Sequence, residues 1–264
     1  MSYKVLNFDR EEHVAVVTLN RPEKLNALGR DLQEELHGAL DEAKNDDNIR
    51  VLVITGAGRG FCSGADLTGG PREEHTPTQA ELLDNYGWVG RQALALYHFD
   101  KPVIAAVNGV AAGAGMSLSL ACDMRVGSEN TRFKTVFIER NLSPDSGMSF
   151  FLPRIVGVSR AADLIYTSRM VLADEAYRMG LLDRLVAHDN LVEEAVALAN
   201  QMTQWPPLAL RSAKRVLQHN VEAKLEDALQ YELYGLSFGR KATNDAKESR
   251  RAFVEKRVPK YTGT

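Results

Sequence analysis

The sequence predicts an α/β fold in which parallel strands are covered by helices. Short β-prone apolar segments alternate with amphipathic segments over the first two-thirds of the chain, and the last third is helical in pattern. Composition agrees, because 44% apolar and 25% charged residues in a chain of 264 are typical of a globular protein. A chain of this length buries roughly 75% of its unfolded surface, so we expect one large domain, with or without a small annex.

The first predicted strand covers residues 13–19 and ends at the turn Asn20-Arg21-Pro22. A helix is predicted over 31–44, because apolar residues recur there at helical spacing on one face. These residues are Leu32, Leu36, Leu40 and Ala43. A buried strand follows at 50–55 and ends in the glycine-rich loop 56–60.

The alternation of strand and helix then repeats along the chain. The predicted elements are a helix at 80–99, a strand at 103–107, a helix at 113–121 and a short strand at 124–127. Beyond Pro144 the pattern becomes helical, with polar residues at helical spacing in 189–202, 206–218 and 223–239. The sequence therefore predicts an α/β region followed by a helical C-terminal annex.

One segment, residues 103–122, carries no charge and has Gly109 and Gly113 at the spacing of a membrane helix-dimer motif. A membrane helix is nevertheless a poor interpretation. The segment begins with a β-prone run, and Asn108-Gly109 is typical of a turn. We predict a buried strand, a tight turn and a buried helix here.

Charge and cysteine content exclude several classes of protein. The 32 basic and 35 acidic residues give a net charge of -3 without a long block of one sign, so neither a nucleic acid nor a membrane is an expected partner. Cys62 and Cys122 have no paired spacing, which favours a reducing compartment. Residues 1–12 lack the apolar stretch of a signal peptide, so we expect a cytoplasmic protein.

Metal and dinucleotide sites are poorly supported. The six histidines are scattered, and Glu73-Glu74-His75 lies in a polar stretch without metal-ligand spacing. No helix begins directly after the glycines of loop 56–60, as a dinucleotide site requires, and the Lys-Ser/Thr of a P-loop is missing. We expect neither a metal nor a resident cofactor.

Two loops rich in small residues, 61–67 and 108–115, each follow a predicted strand, and the second opens a helix. Such loops can point free backbone N–H groups at a ligand. Two donors that converge on one oxygen form an oxyanion hole. The alternative is that the small residues serve only close packing and tight turns, and a single loop by itself favours that interpretation.

Four motifs occur in order along the chain. They are Asn-Arg-Pro-Glu-Lys-Leu-Asn-Ala at 20–27, Gly-Phe-Cys-Ser-Gly-Ala-Asp-Leu at 60–67, Lys-Pro-Val-Ile-Ala-Ala-Val-Asn-Gly at 101–109 and Phe-Val-Glu-Lys-Arg at 253–257. Together they resemble the crotonase, or enoyl-CoA hydratase/isomerase, superfamily over nearly the whole chain. The resemblance implies a crotonase-type spiral of ββα units at 1–200 and a C-terminal helical trimerisation region at 201–264, with assembly as a homotrimer or a dimer of trimers.

The resemblance also implies an acyl-CoA substrate and no further cofactor. Family members hold the enolate of the thioester with two backbone N–H groups, which by position are those of Ala65 and Ala114. One such donor contributes roughly 3 to 4 kcal/mol in other oxyanion holes. Many relatives have glycine at the position of Ala114, but a backbone donor does not depend on the side chain.

The acid and base residues decide which reaction follows. Hydratases of this family carry two glutamates, at positions that correspond here to Ser117 and Phe137, so both carboxylates are missing. Phe137 would instead make a substrate pocket drier. At the position where isomerases place a single acid, this chain has Asp145. A lone carboxylate suffices for a 1,3 double-bond shift, because it serves first as base and then as acid.

We therefore expect an acyl-CoA isomerase that shifts a double bond or rearranges a ring epoxide, with Asp145 as the proton relay. The segments 109–115 and 143–147 are most similar to epoxyphenylacetyl-CoA isomerases, with Δ3-Δ2-enoyl-CoA isomerases next. Nearby phenylalanines would raise the pKa of Asp145, whereas helix-start N–H groups would lower it. Ser143-Pro144-Asp145 also fits an ordinary helix N-terminus with a serine cap.

Three alternatives stay open. A hydratase would use Glu139 as a shifted second acid, although an exposed neighbour of Arg140 is the simpler interpretation. An enzyme like the 4-chlorobenzoyl-CoA dehalogenases would use Asp145 as a nucleophile, but residues 86–91 lack the histidine that this branch needs. The third alternative is a catalytically silent acyl-CoA-binding subunit.

The resemblance finally implies contacts with CoA. Residues 63–67, including Ser63, Asp66 and Leu67, would lie against the adenine and pantetheine, with Lys24 near the phosphates. Phe253 and Lys256 would reach the nucleotide, from the same subunit or from a neighbouring one. Phe137 would line the acyl pocket.

Overall fold

The computed structural model describes residues 3–68, 76 and 78–264. The described strands form two sheets. The larger contains, in spatial order, β1 (Leu6–Glu11), β2 (Val14–Leu19), β3 (Val51–Gly56), β5 (Val103–Val107), β7 (Met124–Ser128) and β10 (Arg184–Val186). The smaller contains β4 (Gly60–Cys62), β6 (Val110–Ala112), β8 (Arg132–Lys134) and β9 (Val171–Leu172). Neighbouring strands are parallel except in the pairs β1–β2 and β8–β9.

From β3 to β8, consecutive strands alternate between the two sheets. The chain passes from β3 to β4, from β5 to β6 and from β7 to β8, and each pass adds one parallel strand to each sheet. Helical residues follow each pair before the chain returns to a sheet. This repetition is the crotonase-type spiral, so the predicted fold class is confirmed.

Helices surround the two sheets and make up most of the C-terminal part. Their bounds are α1 (Arg30–Asn45), α2 (Gln79–Leu83), α3 (Gly87–Tyr97), α4 (Ala114–Leu120), α5 (Met148–Val156), α6 (Val158–Thr167), α7 (Ala173–Arg178), α8 (Leu191–Thr203), α9 (Pro207–Asn220), α10 (Leu225–Gly239) and α11 (Thr243–Glu255). The face of α1 that is buried carries the four apolar residues whose spacing predicted this helix.

The larger sheet is buried on both faces, as β3 shows most clearly. Leu52 and Ile54 join the main core, whereas Val51 and Val53 join a second cluster that includes residues of α8. Alternate side chains of a strand point to opposite faces, so a continuous apolar run is what a strand covered on both sides needs. The larger sheet therefore forms the centre of the buried core, with apolar side chains packed on each of its faces.

The predicted helix over 80–99 is wrong as a single element, because α2 and α3 are separate helices. The Asp84 carboxylate accepts a hydrogen bond from the N–H of Tyr86 at 3.0 Å, and Gly87 has a φ of +60°. A side chain that bonds the backbone two residues on forms a turn, which competes with the helix. The spacing of apolar residues continues across the break, so it could not reveal the turn.

The uncharged segment 103–122 forms a buried strand and a buried helix, as predicted, with the short strand β6 between them. Within the described part of the chain, no helix has the length and apolar character needed to cross a membrane. The strand β1 was not predicted, because four of its six residues are polar or charged.

The C-terminal helices are held to the sheets by buried polar contacts. The Lys214 ammonium of α9 contacts the Asp123 carboxylate at 2.7 Å and donates to the Lys101 carbonyl at 3.0 Å. The Asp100 carboxylate contacts both Arg211 and Arg215. The boundary proposed at residue 200 lies within α8, and the division into two regions stays a prediction.

Candidate active site

Two neighbouring parallel strands of the smaller sheet, β4 and β6, lead into the two loops of interest. Cys62 of β4 is paired with Ala111 of β6. Ala65 and Ala114 each lie three residues beyond these paired positions. Because parallel strands end at the same edge of a sheet, the loops that carry the two amides leave the smaller sheet at that same edge.

Glycines allow the two loops to approach closely. A Cβ atom at Gly64, which has a φ of +95°, would lie 2.7 Å from the Ala112 carbonyl oxygen and 3.5 Å from the Ala114 amide nitrogen. A Cβ atom at Gly115 would lie 2.1 Å from the Cys62 carbonyl oxygen. Any side chain at either position would force the loops apart, so close backbone approach is the reason for glycine here.

The N–H groups of Ala65 and Ala114 have no hydrogen-bond partner within the described residues. The flanking groups of Ala65 are used, since the Gly64 carbonyl accepts from the Leu28 N–H and the Asp66 N–H donates to the Leu28 carbonyl. Ala114 is the first residue of α4, where a helix leaves its N–H groups unpaired. Two free donors at one sheet edge can bind a developing oxyanion.

Two buried asparagines shape the turn that leads into β4. The Asn26 amide donates to the carbonyls of Ala57 at 3.0 Å and Gly60 at 2.8 Å, and its oxygen accepts from the Arg21 N–H at 2.8 Å. The Asn108 amide donates to the carbonyl of Gly58 at 2.9 Å. Both asparagines belong to the sequence motifs. The turn at Asn108 is expected from its pairing with Gly109, whereas the side-chain hydrogen bonds of Asn26 have no counterpart in the sequence pattern.

Asp145 is half-buried, and hydrogen bonds hold both its backbone carbonyl and its side-chain carboxylate. Its backbone carbonyl accepts a hydrogen bond from the Ser117 hydroxyl at 3.3 Å, and its Oδ1 accepts one from the Ser146 hydroxyl at 2.9 Å. Ser117 lies one turn after Ala114 on α4, so the helix that presents the Ala114 N–H also binds Asp145. Burial raises the pKa of Asp145, and the Ser146 hydrogen bond partly opposes that rise.

The residues 143–147 are not the start of a helix, so the interpretation of Ser143 as a cap is wrong. The helix α5 begins at Met148 and is preceded by Gly147, which has a φ of +82°. No side chain caps α5, and the Asp145 carbonyl accepts from the Met148 N–H. The left-handed turn before the helix needs backbone geometry that the Ser-Pro pattern does not reveal.

Other acids of the same region are engaged or exposed. Asp123 pairs with Lys214, and the exposed Glu139 pairs with Lys134 at 2.6 Å. Glu129 is exposed. Within residues 113–157, all of which the structure describes, Asp145 is therefore the one half-buried acid without an ion pair.

Comparison with known proteins identifies the family. The model of the enoyl-CoA hydratase/isomerase family matches residues 9–264. The chain belongs to this family. It is 38% identical over 260 residues to a probable enoyl-CoA hydratase of Mycobacterium bovis, a match that covers 94% of this chain and 89% of that protein.

Solved structures of family members have the same fold as this chain. A Bacillus anthracis enoyl-CoA hydratase has a TM-score of 0.88 and 34% identity, over 99% of this chain and all of that one. A monofunctional enoyl-CoA isomerase of Mycobacterium smegmatis has a TM-score of 0.73 and 36% identity, over 86% of this chain and 98% of that one. This chain therefore has the fold of the crotonase superfamily of enzymes, and it is similar both to hydratases and to an isomerase.

The family resemblance implies CoA contacts near β4, and the structure joins several of these residues. The Asp66 carboxylate contacts Arg21 at 2.8 Å and Lys24 at 3.2 Å. Hydrogen bonds from the Thr68 hydroxyl, Arg21 and Lys24 hold the pKa of Asp66 well below its usual range. Arg21, to which the sequence assigned no role, thus fixes the carboxylate next to Ala65.

Ser63, Leu67 and Phe137 occupy different surroundings. The Ser63 hydroxyl donates to the Lys24 carbonyl at 3.2 Å, and the side chain of Leu67 is 70% exposed beside the same loop. Phe137 is 4% exposed and belongs to the main core. It follows Val136, which has a φ of +56° and donates its N–H to the Ser168 hydroxyl at 3.2 Å. A valine in that region is an outlier, and the sequence carried no sign of it.

Phe253 and Lys256 lie at the C-terminal end of α11, and both are exposed. Lys256 ends the helix in the left-handed region, with a φ of +53°. Within the described chain, no hydrogen bond or ion pair joins either residue to 63–67. Their contact with CoA stays a prediction.

Cysteine and metal chemistry find little support in the described residues. Cys62 and Cys122 are buried, and burial raises the pKa of each thiol to about 12. Neither is therefore a thiolate nucleophile near neutral pH. Across 3–68, 76 and 78–264, no group of three histidine, cysteine or acidic residues could hold a metal ion.

Proposed function

We propose that this chain is an acyl-CoA isomerase that shifts a double bond or rearranges a ring epoxide, with Asp145 as the proton relay. The observation that carries the proposal is the state of Asp145, which is half-buried, has a raised pKa and lacks an ion pair. A general base works best when its pKa approaches the working pH, so this environment suits proton transfer.

In the proposed reaction, the thioester oxygen accepts hydrogen bonds from the N–H groups of Ala65 and Ala114. The Asp145 carboxylate takes a proton from C2 of a 3-enoyl thioester, and the electron pair of that C–H bond forms a dienolate whose charge lies on the thioester oxygen. The protonated Asp145 then returns the proton to C4, and the double bond ends between C2 and C3. No atom is gained or lost.

Hydration is the competing candidate, because the names of curated relatives mostly say hydratase. Hydration needs one carboxyl group to activate water and a second to deliver a proton. The two positions that the family resemblance assigns to these groups are Ser117 and Phe137, and both side chains are buried. Glu139, the remaining acid, is paired with Lys134. These features favour isomerisation.

We also propose that Lys24, Ser63, Asp66 and Leu67 contact CoA, with Phe253 and Lys256 completing that contact in a trimer or a pair of trimers in the cytoplasm. An exposed apolar stripe on α10 supports self-association through residues 201–264. Its members are Leu225, Leu229, Leu233 and Leu236, each at least half exposed. Monomeric proteins rarely expose such a continuous patch. Analytical ultracentrifugation distinguishes a trimer from a monomer.

The isomerase proposal is tested with 2-enoyl and 3-enoyl CoA thioesters that carry short, long and aromatic chains. We expect 3-enoyl thioesters to become conjugated and to exchange hydrogen with D2O at C2 and C4. Loss of the conjugated absorbance of a 2-enoyl thioester would show hydration instead. Binding of every thioester without exchange would show the silent binding subunit.

A further inference from the structure

We propose that Ser146 is a positioning residue for Asp145, which holds Oδ1 so that Oδ2 takes and returns the proton. This inference rests on the proposed isomerase function and extends it to a residue outside the expected site. The sequence motifs assign no role to Ser146. Its effect is exerted through Asp145 and not through contact with the substrate.

The hydrogen bond between the two side chains is the first observation. The Ser146 hydroxyl donates to Asp145 Oδ1 at 2.9 Å, whereas Oδ2 has no partner within the described residues. Ser146 is 4% exposed, so water does not compete freely for the hydroxyl. When Oδ2 carries the proton, Oδ1 still accepts from Ser146. The bond can therefore persist through both halves of a proton transfer.

The backbone at Ser146 is the second observation. Ser146 has a φ of +52° and Gly147 a φ of +82°, so two successive left-handed residues turn the chain into α5. Glycine adopts this geometry without the cost that serine incurs. Serine supplies a hydroxyl that glycine lacks, and that hydroxyl meets the Asp145 carboxylate. The hydrogen bond from the side chain thus explains why serine, and not glycine, occupies this position.

The third observation is that the backbone carbonyl of Asp145 is also held by a hydrogen bond. Ser117 on α4 donates to the Asp145 carbonyl, which ties the backbone of Asp145 to the helix that begins at Ala114. With the carbonyl and Oδ1 both held, the planar carboxylate leaves Oδ2 little freedom to reorient. Fixing a reacting atom to within a few tenths of an ångström is a large part of general-base efficiency.

Charged groups on the surrounding elements are occupied elsewhere. Arg91 of α3 pairs with Asp84, Arg154 of α5 pairs with Glu222, and Lys134 pairs with Glu139. The helix α4 carries no charged residue. Burial raises the pKa of Asp145 and the Ser146 hydrogen bond opposes that rise. In a folded variant that keeps Asp145 buried, a change in this pKa therefore reports on the Ser146 hydrogen bond.

The test replaces Ser146→Gly and Ser146→Ala in the full chain. A hydrogen bond to a carboxylate stabilises its charged form, so its removal raises the pKa. We expect the Asp145 carboxyl to titrate about one pH unit higher in both variants, which is a tenfold change in proton affinity. Carbon-13 NMR of aspartate-labelled protein measures this titration directly, with the Asp145 signal assigned from Asp145→Asn.

The same variants should move the acidic limb of kcat/KM for a 3-enoyl-CoA upward by the same amount and lower kcat. Ser168→Gly is the matched control, because Ser168 is also buried and has a φ of +51°, but its hydroxyl accepts from the Val136 N–H. This control should leave the Asp145 carboxyl titration unchanged. Thermal melting verifies that each variant is folded.

An unchanged carboxyl titration in folded Ser146→Gly would overturn the inference. A shifted titration with an unshifted activity profile would also overturn it, because Ser146 would then not act through the catalytic carboxylate. Failure of the isomerase proposal has a different signature, namely an Asp145→Asn variant that isomerises at the wild-type rate. The two failures are therefore distinguishable.

Discussion

The Ser117 hydroxyl lies 3.3 Å from the backbone carbonyl oxygen of Asp145 and donates a hydrogen bond to it. The two residues are 28 positions apart in sequence, yet this contact joins the segment before α5 to the helix that begins at Ala114. The proposed base and one proposed oxyanion donor are thus supported by the same short helix. A displacement of α4 would affect both.

Replacement of Ala114 by proline is expected to remove one oxyanion donor with little damage to the helix. Ala114 is the first residue of α4, a position where proline is tolerated because its N–H has no helical partner. The loss of one donor lowers kcat by roughly 100-fold to 1000-fold in other oxyanion holes. Steady-state kinetics with a 3-enoyl-CoA measures the effect.

Ala114→Gly is the control for this substitution, because it keeps the backbone N–H. We expect its kcat to stay within a few-fold of the wild-type value. A proline variant that is folded and retains wild-type kcat would mean that the Ala114 N–H does not meet the developing charge.

The variant Asn26→Ala is expected to destabilise the fold through the turn before β4. Alanine leaves the Ala57 carbonyl and the Arg21 N–H without their side-chain partner, and it leaves the Gly60 carbonyl with only the longer hydrogen bond from Asn108 at 3.3 Å. A buried polar group that loses its hydrogen-bond partner costs roughly 1 to 3 kcal/mol. Because the structure relaxes partly around the new side chain, we expect the free energy of unfolding to fall by about 3 kcal/mol in total. Urea denaturation measures it.

Asn141→Ala is the matched control for the backbone at Asn26. Both asparagines have a φ of +56°, but Asn141 is exposed and its side chain makes no hydrogen bond within the described residues. Asn141→Ala therefore reports the cost of alanine in the left-handed region alone. Equal losses in the two variants would contradict the role assigned to the Asn26 hydrogen bonds.

The sequence predicts those parts of the fold that depend on regular spacing of apolar residues. The face of α1 and the continuous apolar run of β3 follow directly from burial on one side or on both sides. The break between α2 and α3 does not, because it depends on one carboxylate at Asp84 and a glycine at 87. The short strands β6 and β8 have three residues each, too few to show a period.

The candidate site could be predicted only through family motifs. Two glycine-rich loops are visible in the sequence, but their meeting depends on the register of β4 and β6, which pairs Cys62 with Ala111. The partners of Asp145 are invisible from sequence, since Ser117 is distant along the chain and Ser146 acts through a left-handed backbone. Local pattern instead predicted a cap at Ser143, which the structure lacks.

The variant Lys24→Ala tests the proposed CoA contact. We expect the KM for an acyl-CoA to rise several-fold with little change in kcat, because an exposed ion pair with a phosphate contributes at most about 1 kcal/mol. A pantetheine thioester, which lacks the nucleotide phosphates, should show no difference. Lys44→Ala, an exposed lysine of α1, is the control. A parallel loss with both substrates would instead indicate that Lys24 acts by holding Asp66.

The pH dependence of isomerisation should follow the ionisation of Asp145. The base must be ionised in the free enzyme, so kcat/KM falls as the pH drops through its pKa. Burial raises that pKa above the ordinary value of 3.8, so the fall should occur above pH 3.8. A profile that stays flat down to pH 3.8 in folded protein would show that another group is the base.

Asp145→Asn is expected to lose activity without losing stability. A carboxyl whose pKa is raised by folding destabilises the native state at a pH above both of its pKa values. Removing the charge should therefore leave the melting temperature at pH 7 equal to or above that of the wild type. Differential scanning calorimetry measures this, and a large decrease would mean that the carboxylate supports the fold.

Hydrogen exchange by Asp145→Asn in D2O tests the proton relay most directly. Wild-type protein should convert a 3-enoyl-CoA and incorporate deuterium at C2 and C4, whereas the variant should bind the thioester with similar affinity and lose at least 100-fold in both rates. Mass spectrometry of the recovered thioester follows exchange, and calorimetry follows binding. Exchange and isomerisation at wild-type rates in the folded variant would contradict the assignment of Asp145 as the group that moves the proton.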